Sequence, residues 1–191
     1  MNDDIVFKVF SELDVKLQER VSDFRNRYKK NEPNRSDGDQ VVHQDKFCSD
    51  NDIFTWIFAL SGKDIVGMVA AFKRIITYQG EEFVLGGIGK MRVLEEYQRR
   101  GIASNIMEIV MGELNNELVD VALLCTNTNS FLVSFYEKYG FKLLGKSYRY
   151  TGKSGKEYIE SGGMIAPINS VSKYNKITTS EKVLDIGSGN W

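Results

Sequence analysis

Three strand-like segments follow one another with nothing but tight turns between them. They span residues 52–60, 64–78 and 83–94, and their turns contain Gly62 and Gly80. Short glycine-containing connections between β-branched and aromatic runs are typical of hairpins. We therefore predict an antiparallel meander at the centre of the fold. This feature excludes an all-helical protein and a purely parallel sheet.

The apolar pattern changes from a strand period to a helical period after the meander. Apolar residues then recur at helical spacing from Ile102 to Leu114. The predicted order is β-α-loop-β-β-β-α-β-α-β-β, which makes a mixed α/β sheet. The remaining segments are strands at 5–10, 119–125, 141–150 and 157–168 and helices at 13–28 and 130–139. The polar segment 29–40 is predicted to be a loop, or a short irregular helix over a binding cleft. We expect one domain over residues 1–168 and a tail over 169–191.

Charge and composition exclude several classes of protein. The 191 residues carry 25 Lys and Arg against 26 Asp and Glu, so a phosphate-neutralising nucleic-acid binder is not expected. Two cysteines and one histidine predict neither a disulfide framework nor a metal site. The acidic start lacks a signal peptide, and the longest apolar run, 53–60, is too short to span a membrane. We expect a cytoplasmic protein, monomeric or homodimeric.

The turn between the meander and the next helix has features of an anion site. It reads Gln98-Arg99-Arg100-Gly101-Ile102-Ala103. The first turn of a helix presents free N–H groups to an anion, and the small Gly101 and Ala103 let a bulky ligand approach the backbone. Arg99 and Arg100 add positive charge. The alternative is an ordinary capped turn with two solvated arginines.

Two sequence blocks carry a family resemblance. Residues 93–103 closely resemble the acetyl-CoA signature of the GNAT N-acetyltransferase superfamily, Gln/Arg-x-x-Gly-x-Gly/Ala at the start of a helix. Residues 129–141, which include Phe135-Tyr136-Glu137-Lys138-Tyr139-Gly140-Phe141, resemble the later motif of the same superfamily. The resemblance covers residues 54–168. It implies the acyl-CoA N-acyltransferase fold, in which helices flank a mostly antiparallel sheet that splays between the strands at 83–94 and 119–125.

The resemblance also implies acetyl-CoA as co-substrate and a set of residues that hold it. The backbone of Met91 to Val93 would pair with the pantetheine arm, the N–H groups of the turn would hold the pyrophosphate, and Asn129 would contact the cofactor arm. The implied cofactor-binding residues are Met91, Arg92, Val93, Gln98, Arg99, Arg100, Gly101, Ile102, Ala103, Ser104 and Asn129.

Acetyl transfer from a thioester needs a neutral amine, a stabilised oxyanion and a protonated leaving thiolate. An alkyl amine with a pKa of about 10.4 is neutral in only about one molecule in 2,500 at pH 7. Tyr136 matches the tyrosine that acts as general acid in many members of the superfamily. The alternative for Tyr136 is a half-buried helical residue that packs beside Phe135 and Tyr139.

The general base is less evident from the sequence. Some family members carry a glutamate fourteen residues before the motif glycine, but that position is Gly87 here. We expect Glu82, at the start of the same strand, to act through a water molecule; Glu81, Asp45 and His43 are weaker candidates. The glycines at 86, 87 and 89 predict either a bulky acceptor lying across the strand or a bulge that splays the sheet.

The acceptor is expected to be a primary amine of a small molecule. The runs 84–89 and 162–168 resemble the branch that includes aminoglycoside 2′-N-acetyltransferases, whose acceptors are polycationic sugars. Acidic residues that could hold such an acceptor are Asp37, Asp39, Asp45, Glu81, Glu82 and Glu160. Polyamine-like amines, protein N-termini and lysines remain open as acceptors. A non-catalytic acyl-CoA sensor is the second class of function.

One motif lies outside the family resemblance. Residues 183–190, Val-Leu-Asp-Ile-Gly-Ser-Gly-Asn, resemble the loop that opens an S-adenosylmethionine methyltransferase domain. Such a loop needs a following helix and a parallel sheet. The sequence ends two residues after Gly189, so we expect a flexible or strand-adding tail.

Overall fold

A computed structural model describes residues 4–29, 37–47 and 50–191, with the side chains of 37 and 38 excepted. Within these ranges the chain forms ten strands and five helices. The strands are β1 (Ile5–Phe10), β2 (Ile53–Ser61), β3 (Asp64–Tyr78), β4 (Glu81–Val93), β5 (Val121–Cys125), β6 (Lys142–Leu143), β7 (Tyr148–Thr151), β8 (Glu157–Glu160), β9 (Gly163–Pro167) and β10 (Leu184–Ser188). The helices are α1 (Val15–Lys29), α2 (Asp37–Lys46), α3 (Ile102–Asn116), α4 (Leu132–Glu137) and α5 (Val171–Thr178).

The main sheet has seven strands in the order β1-β2-β3-β4-β5-β9-β6. Strands β1 to β4 pair antiparallel in sequence order, which confirms the predicted meander. Strand β5 pairs with β4 in parallel and with β9 antiparallel. The predicted mixed and mostly antiparallel α/β sheet, flanked by helices, is confirmed.

Strands β4 and β5 separate partway along their length. Their pairing runs from Leu85 opposite Val121 to Ile88 opposite Leu124, whereas β4 continues to Val93. The register of β4 against β3 shifts between Gly89 and Arg92, and Lys90 there has a φ of 56°. A bulge bends its strand and increases the local twist. The bend carries the end of β4 away from β5 and opens the predicted splay.

Helix α3 covers one face of the meander with a continuous apolar stripe. Its buried residues are Ile102, Ile106, Met107, Val110 and Leu114. Glycines on the strands permit the close approach: a methyl group at Gly67 would lie 2.9 Å from Ile102, and one at Gly86 would lie 2.8 Å from Leu114. Burial of each large aliphatic side chain contributes about 1.5–3 kcal/mol to stability. This packing fixes the start of α3 against the end of β4.

Two predicted strands are each divided, which corrects the prediction. Segment 141–150 forms β6 and β7, and segment 157–168 forms β8 and β9, with the members of each pair in different sheets. Gly145, with a φ of 73°, turns the chain between β6 and β7. Strands β7 and β8 form an antiparallel hairpin, and β10 adds to β7 in parallel as a second, three-stranded sheet.

The segment that follows β9 is ordered in two elements. Helix α5 packs against β9 and β5, and β10 buries Leu184 and Ile186 completely. The strand-adding alternative for this segment is therefore the one observed, while the domain boundary at residue 168 stays a prediction. Helix α2 occupies part of the predicted loop 29–40, of which residues 30–36 lie outside the described residues, as does Cys48. Across the described ranges, no helix is long and apolar enough to cross a bilayer.

Candidate active site

The turn from β4 to α3 leaves the first amides of the helix open for a ligand. Gly101 is the N-cap of α3 with a φ of 77°, and it has no side chain with which to cap the helix. Arg99 also has a positive φ, of 60°. The first N–H groups of an α-helix have no partner within the helix. The side chains of Arg99 and Arg100 are exposed beside them, so an anion here would meet amides and positive charge together.

The turn is held in place by contacts to the ends of the neighbouring strands. The side-chain Nε2 of Gln98 donates to the carbonyl oxygen of Val93 at 3.1 Å. The backbone N–H of Leu94 donates to the carbonyl of Val66 at 2.9 Å. The guanidinium of Arg100 lies 5.0 Å from the centre of the Tyr97 ring. In this structure the Gln98 side chain therefore stabilises the backbone of the turn.

The last residues of β4 form the edge that the splay exposes. Met91, Arg92 and Val93 follow the bulge and have no partner in β5 among the described pairs. The Arg92 guanidinium lies 4.8 Å from the centre of the Tyr28 ring on α1. An extended ligand can add to an exposed strand edge through its own amides. The three residues predicted to hold the pantetheine arm thus lie together, next to the turn.

Tyr136 lies on α4, close to the start of α3. It is 7% exposed and packs its ring against Phe135 and Phe141, with centres 5.2 Å and 6.3 Å away. Burial raises the pKa of its hydroxyl above the ordinary value of 10.0, because ionisation would place a charge in an apolar environment. Tyr136 is therefore protonated at neutral pH.

The loop and the helix around Tyr136 link it to the turn. The hydroxyl of Tyr139 donates to the carbonyl of Ser104 at 3.3 Å, which joins α4 to the first turn of α3. Asn129 is exposed on the connection from β5 to α4, and its backbone N–H donates to Oδ1 of Asn127 at 3.0 Å. The two family-like blocks therefore meet in space.

Glu82 lies at the other end of β4. It is exposed, and it pairs with Thr77 beside the β3–β4 turn. Six residues separate it from Ile88, the last position paired with β5, which is about 20 Å along a strand. The structure therefore does not bring Glu82 to the open end of the splay, where a base for the acceptor would be needed.

A cavity of about 320 Å³ opens at the carboxyl end of β5. Its walls come from α2, the end of β5, the second sheet and the segment after β10. The lining residues are His43, Lys46, Phe47, Cys125, Thr126, Tyr148, Tyr150, Glu160, Gly162 and Asn190. Of these, His43 and Glu160 were predicted from the sequence as candidate site residues, whereas the two tyrosines and Asn190 were not. The alternation Tyr148-Arg149-Tyr150 could have predicted that the two tyrosines lie side by side, since alternate residues of a strand share a face.

A cluster of neutral polar groups lies at the inner end of this cavity. The Cys125 thiol contacts the hydroxyl of Tyr148, and the Asn190 amide donates to that hydroxyl at 3.0 Å. Burial raises the pKa of the Cys125 thiol, and burial followed by the nearby thiol raises the pKa of Tyr148. Both groups are therefore uncharged at neutral pH.

The charged groups of the cavity lie beside a stack of tyrosine rings. Oε1 of Glu160 is 2.7 Å from Nζ of Lys46 and accepts from the Tyr150 hydroxyl at 3.3 Å. Burial and the Glu160 charge raise the pKa of Tyr150. The Tyr150 ring stacks on those of Tyr148 and Tyr158 at 6.2 Å and 5.5 Å. The Tyr148 and Tyr150 rings are 0% and 1% exposed, so this wall can meet a positively charged group through the Glu160 carboxylate.

Asp45 is engaged in holding the β7–β8 hairpin. It accepts from the Tyr158 hydroxyl and the Ser154 N–H, both at 2.6 Å. These hydrogen bonds, that from Tyr158 foremost, lower the pKa of Asp45. A carboxylate stabilised in its charged form is a weaker base, so Asp45 fits a structural role better than a catalytic one.

The glycines of β4 form a niche for Trp191. A methyl group at Gly87 would overlap the indole ring, and one at Gly89 would lie 2.9 Å from the Trp191 backbone. The indole Nε1–H donates to the carbonyl of Leu123 on β5 at 3.0 Å. Successive strand residues point to opposite faces, so Gly87 faces Trp191 while Gly86 faces α3. An aromatic side chain thus occupies the space beside the position where some family members carry a glutamate.

Comparison with known proteins places this architecture in a family. Residues 17–144 match the family model of an acetyltransferase (GNAT) domain. No curated protein sequence matches the chain significantly.

Solved structures with less than 20% identity to the chain share its fold. YhbS, a GNAT family N-acetyltransferase from Escherichia coli crystallised with CoA, aligns with a TM-score of 0.58 at 14% identity, over 96% of this chain and 88% of its own. The ribosomal-protein-S18-alanine N-acetyltransferase of E. coli aligns with a TM-score of 0.53 at 16% identity, over 88% and 97%.

A third similar structure is a longer protein. A probable N-acyltransferase from Enterococcus faecalis aligns with a TM-score of 0.55 at 16% identity over 76% of this chain. The chain spans 34% of the length of that protein.

The family match covers most of the chain and both motif blocks up to β6. The chain therefore belongs to the GNAT family of acetyltransferases.

Proposed function

We propose that the protein transfers the acetyl group of acetyl-CoA to a primary amine of a small, positively charged molecule, by direct attack in a ternary complex. The observation that carries this proposal is the cavity at the end of β5, where Glu160 lies against the stacked rings of Tyr148 and Tyr150. A carboxylate recognises an ammonium group by charge and by charge-assisted hydrogen bonds. At about 320 Å³, the cavity is at the small end of ligand pockets.

The cofactor would bind along the splay and the turn. The uncapped amides at the start of α3, with Arg99 and Arg100, would hold the pyrophosphate. The edge of β4 from Met91 to Val93 would pair with the pantetheine arm, and Asn129 would contact it from the opposite loop. The bulge at Lys90, after which β4 runs on without β5, and the N-cap at Gly101, which carries no capping side chain, support these roles.

Tyr136 would supply the proton for the leaving thiolate. The neutral amine attacks the thioester carbonyl, the carbon–sulfur bond breaks, and the hydroxyl proton of Tyr136 passes to the CoA sulfur. The proton that the nitrogen loses as the amide forms passes to solvent, from which Tyr136 is protonated again. A raised pKa keeps this hydroxyl protonated over the whole neutral range. The contact of the nearby Tyr139 hydroxyl with Ser104, in the first turn of α3, supports the assignment.

The proton of the acceptor ammonium needs another group. Glu82 is about 20 Å of strand away from the splay, so we propose Glu160 in its place. Its carboxylate lines the cavity and exchanges one partner, Lys46, for the incoming ammonium. His43 also lines the cavity, edge-on to the Phe47 ring, and is the second candidate.

Two finer alternatives concern the acceptor. An aminoglycoside is supported by the sequence resemblance of 84–89 and 162–168 to the 2′-N-acetyltransferase branch. A protein N-terminus is supported by the fold shared with the S18-alanine N-acetyltransferase, but the cavity here is bounded by α2 and by Asn190, which favours a small molecule. A non-catalytic acyl-CoA sensor is supported by the glycine at position 87.

Thiol release with acetyl-CoA and a panel of amines tests the proposal. The panel comprises a diaminoalkane, glucosamine, a three-ring aminoglycoside and a peptide with a free N-terminus. Turnover with one or more of the small amines is expected. Binding of acetyl-CoA without turnover across the panel would contradict the proposal and support the sensor.

The variant Glu160→Gln is expected to raise the KM for the acceptor more than tenfold. The amide keeps the shape of the side chain but removes the charge that faces the ammonium, and a hydrogen bond to a charged group is worth about 1.5–3 kcal/mol. The affinity for acetyl-CoA, measured by titration calorimetry, should not change. Glu157→Gln on the exposed end of the same strand is the matched control. An unchanged acceptor KM would remove Glu160 from the acceptor site.

A further inference from the structure

The segment from Leu184 to Trp191 is anchored along its whole length. Leu184 and Ile186 are fully buried, and the N–H of Gly189 donates to the carbonyl of Thr151 at 2.7 Å. The N–H of Asn190 donates to the carbonyl of Lys46 on α2 at 2.7 Å. The segment therefore connects the second sheet to α2 across one side of the cavity.

Two cations hold backbone carbonyl groups in this part of the chain: Arg74 contacts the segment itself, and Lys146 contacts the residues that lead into it. Nζ of Lys146 lies 2.6 Å from the carbonyl oxygens of Ile177 and Ser180, just before β10. Nη1 of Arg74 donates to the carbonyl of Gly189 at 3.1 Å, and its Nη2 lies 2.6 Å from Asp52. Hydrogen bonds to charged groups are stronger than those between neutral groups. These contacts hold the segment in one position beside the cavity.

Trp191 fits its niche on every side. The indole ring, 5% exposed, stacks on Phe72 at 5.7 Å, and the Arg74 guanidinium lies 4.2 Å from the ring centre on its face. The Nε1–H donates to the carbonyl of Leu123 on β5, the residue that pairs with Gly87. Gly87 and Gly89 provide the room for the ring.

This niche lies between the cavity and the inner part of β4. Asn190, which precedes Trp191, lines the cavity together with Cys125, whereas Trp191 contacts the glycines of β4. An acceptor that enters the cavity therefore reaches the Asn190–Trp191 segment before it reaches Gly87. Without the indole, the cavity and the space above these glycines would be continuous.

We propose that Trp191 forms the inner wall of the acceptor site and restricts the acceptor to amines that fit the cavity in front of it. The inference rests on the proposed function, because it assigns a size limit to the acceptor of that reaction. The glycines at 87 and 89 are then required because a side chain at either position would collide with Trp191. The methyltransferase-like run 183–190 is the strand and turn that place this wall.

Trp191→Ala tests the wall through acceptor selectivity. We expect the ratio of kcat/KM for a three-ring aminoglycoside to kcat/KM for a diaminoalkane to rise at least tenfold, while the Kd for acetyl-CoA changes less than threefold. Trp191→Phe, which keeps an aromatic ring in the niche, should give a much smaller change. An unchanged ratio would overturn the proposal. So would a uniform gain with every acceptor together with tighter acetyl-CoA binding, since that result describes a removable plug.

A double-mutant cycle tests the niche by thermal unfolding as well as by acceptor selectivity. Gly87→Ala should lower the thermal unfolding midpoint and shift selectivity in the same direction as Trp191→Ala, because its methyl group displaces the ring. In the Trp191→Ala background the same methyl group has room, so Gly87→Ala should have no further effect. Gly112→Ala is the control, because no atom lies within 4 Å of a methyl group there. Equal destabilisation in both backgrounds would overturn the proposal.

The outcomes separate this inference from the proposed function. Turnover by the wild type with an unchanged acceptor ranking in Trp191→Ala overturns the wall and leaves the proposed function standing. Absence of turnover with every amine, in the wild type and in the variants, overturns both. If Trp191→Ala does not fold, Gly87→Ala, whose methyl group displaces the ring, gives the same comparison against the wild type.

Discussion

Gly101→Asp is expected to weaken the binding of acetyl-CoA at least a hundredfold. The residue is the N-cap of α3 with a φ of 77°, which aspartate tolerates better than most residues, so the fold should persist. Its carboxylate would lie next to the proposed pyrophosphate site. Two like charges about 5 Å apart repel each other by about 3 kcal/mol at an effective dielectric constant of 20. Titration calorimetry with acetyl-CoA at low and high salt measures the effect.

Gly101→Asn is the matched control for this prediction. Asparagine also tolerates the left-handed conformation, and it caps the helix amides in the same way as aspartate. The two variants therefore differ by one negative charge. We expect the asparagine variant to lose much less affinity, and high salt to reduce the difference between the two. Equal affinities for the two variants would place the pyrophosphate elsewhere.

Tyr136→Phe is expected to lower kcat more than tenfold and to leave acetyl-CoA affinity nearly unchanged. The substitution removes the proposed proton donor, and the ring still packs between Phe135 and Phe141. General acid catalysis contributes factors of about 10² to 10⁴ to enzymatic rates. Single-turnover measurement of thiol release separates this step from binding. Tyr139→Phe, two residues after the end of α4, is the control, since that hydroxyl contacts the Ser104 carbonyl.

The pH profile gives a second test of the same role. The raised pKa of Tyr136 keeps the donor protonated until above pH 10.0, and the fraction of neutral amine rises with pH up to the amine pKa. The rate should therefore rise from pH 6 to pH 9 without a descending limb, once spontaneous thioester hydrolysis is subtracted. A descending limb near pH 8 that Tyr136→Phe abolishes would contradict the raised pKa. An unchanged kcat in the variant would remove Tyr136 from the mechanism.

Much of the fold was predictable because its signals are local. The turns at Gly62 and Gly80 lie between adjacent strands, so the meander is encoded in consecutive residues. The apolar stripe of α3 follows the helical period, and Gly101 has the positive φ that a glycine at this position predicts. The motif at 98–103 is local in the same sense. Its structure follows from the six residues that compose it.

Other elements depend on contacts between distant residues. The strand pattern at 141–150 continues through Gly145, but the two halves belong to different sheets because β9 and β10 offer two separate edges. Glu82 and Gly87 are five residues apart in sequence, yet they lie at different ends of the parallel pairing of β4 with β5. The sequence of β4 does not indicate where its pairing with β5 ends.

The sequence by itself determined the family, the meander, and the strand–turn–helix junction at which we propose that the cofactor binds. Only the tertiary structure decided the acceptor side: the cavity between α2 and the second sheet, the pairing of Glu160 with Lys46, and the place of Trp191 beside Gly87. The physical reason is the range of the interactions. Periodicity and turn conformation arise among neighbours in the chain, whereas a cavity bounded by residues 43 and 190 exists only after the chain has packed on itself.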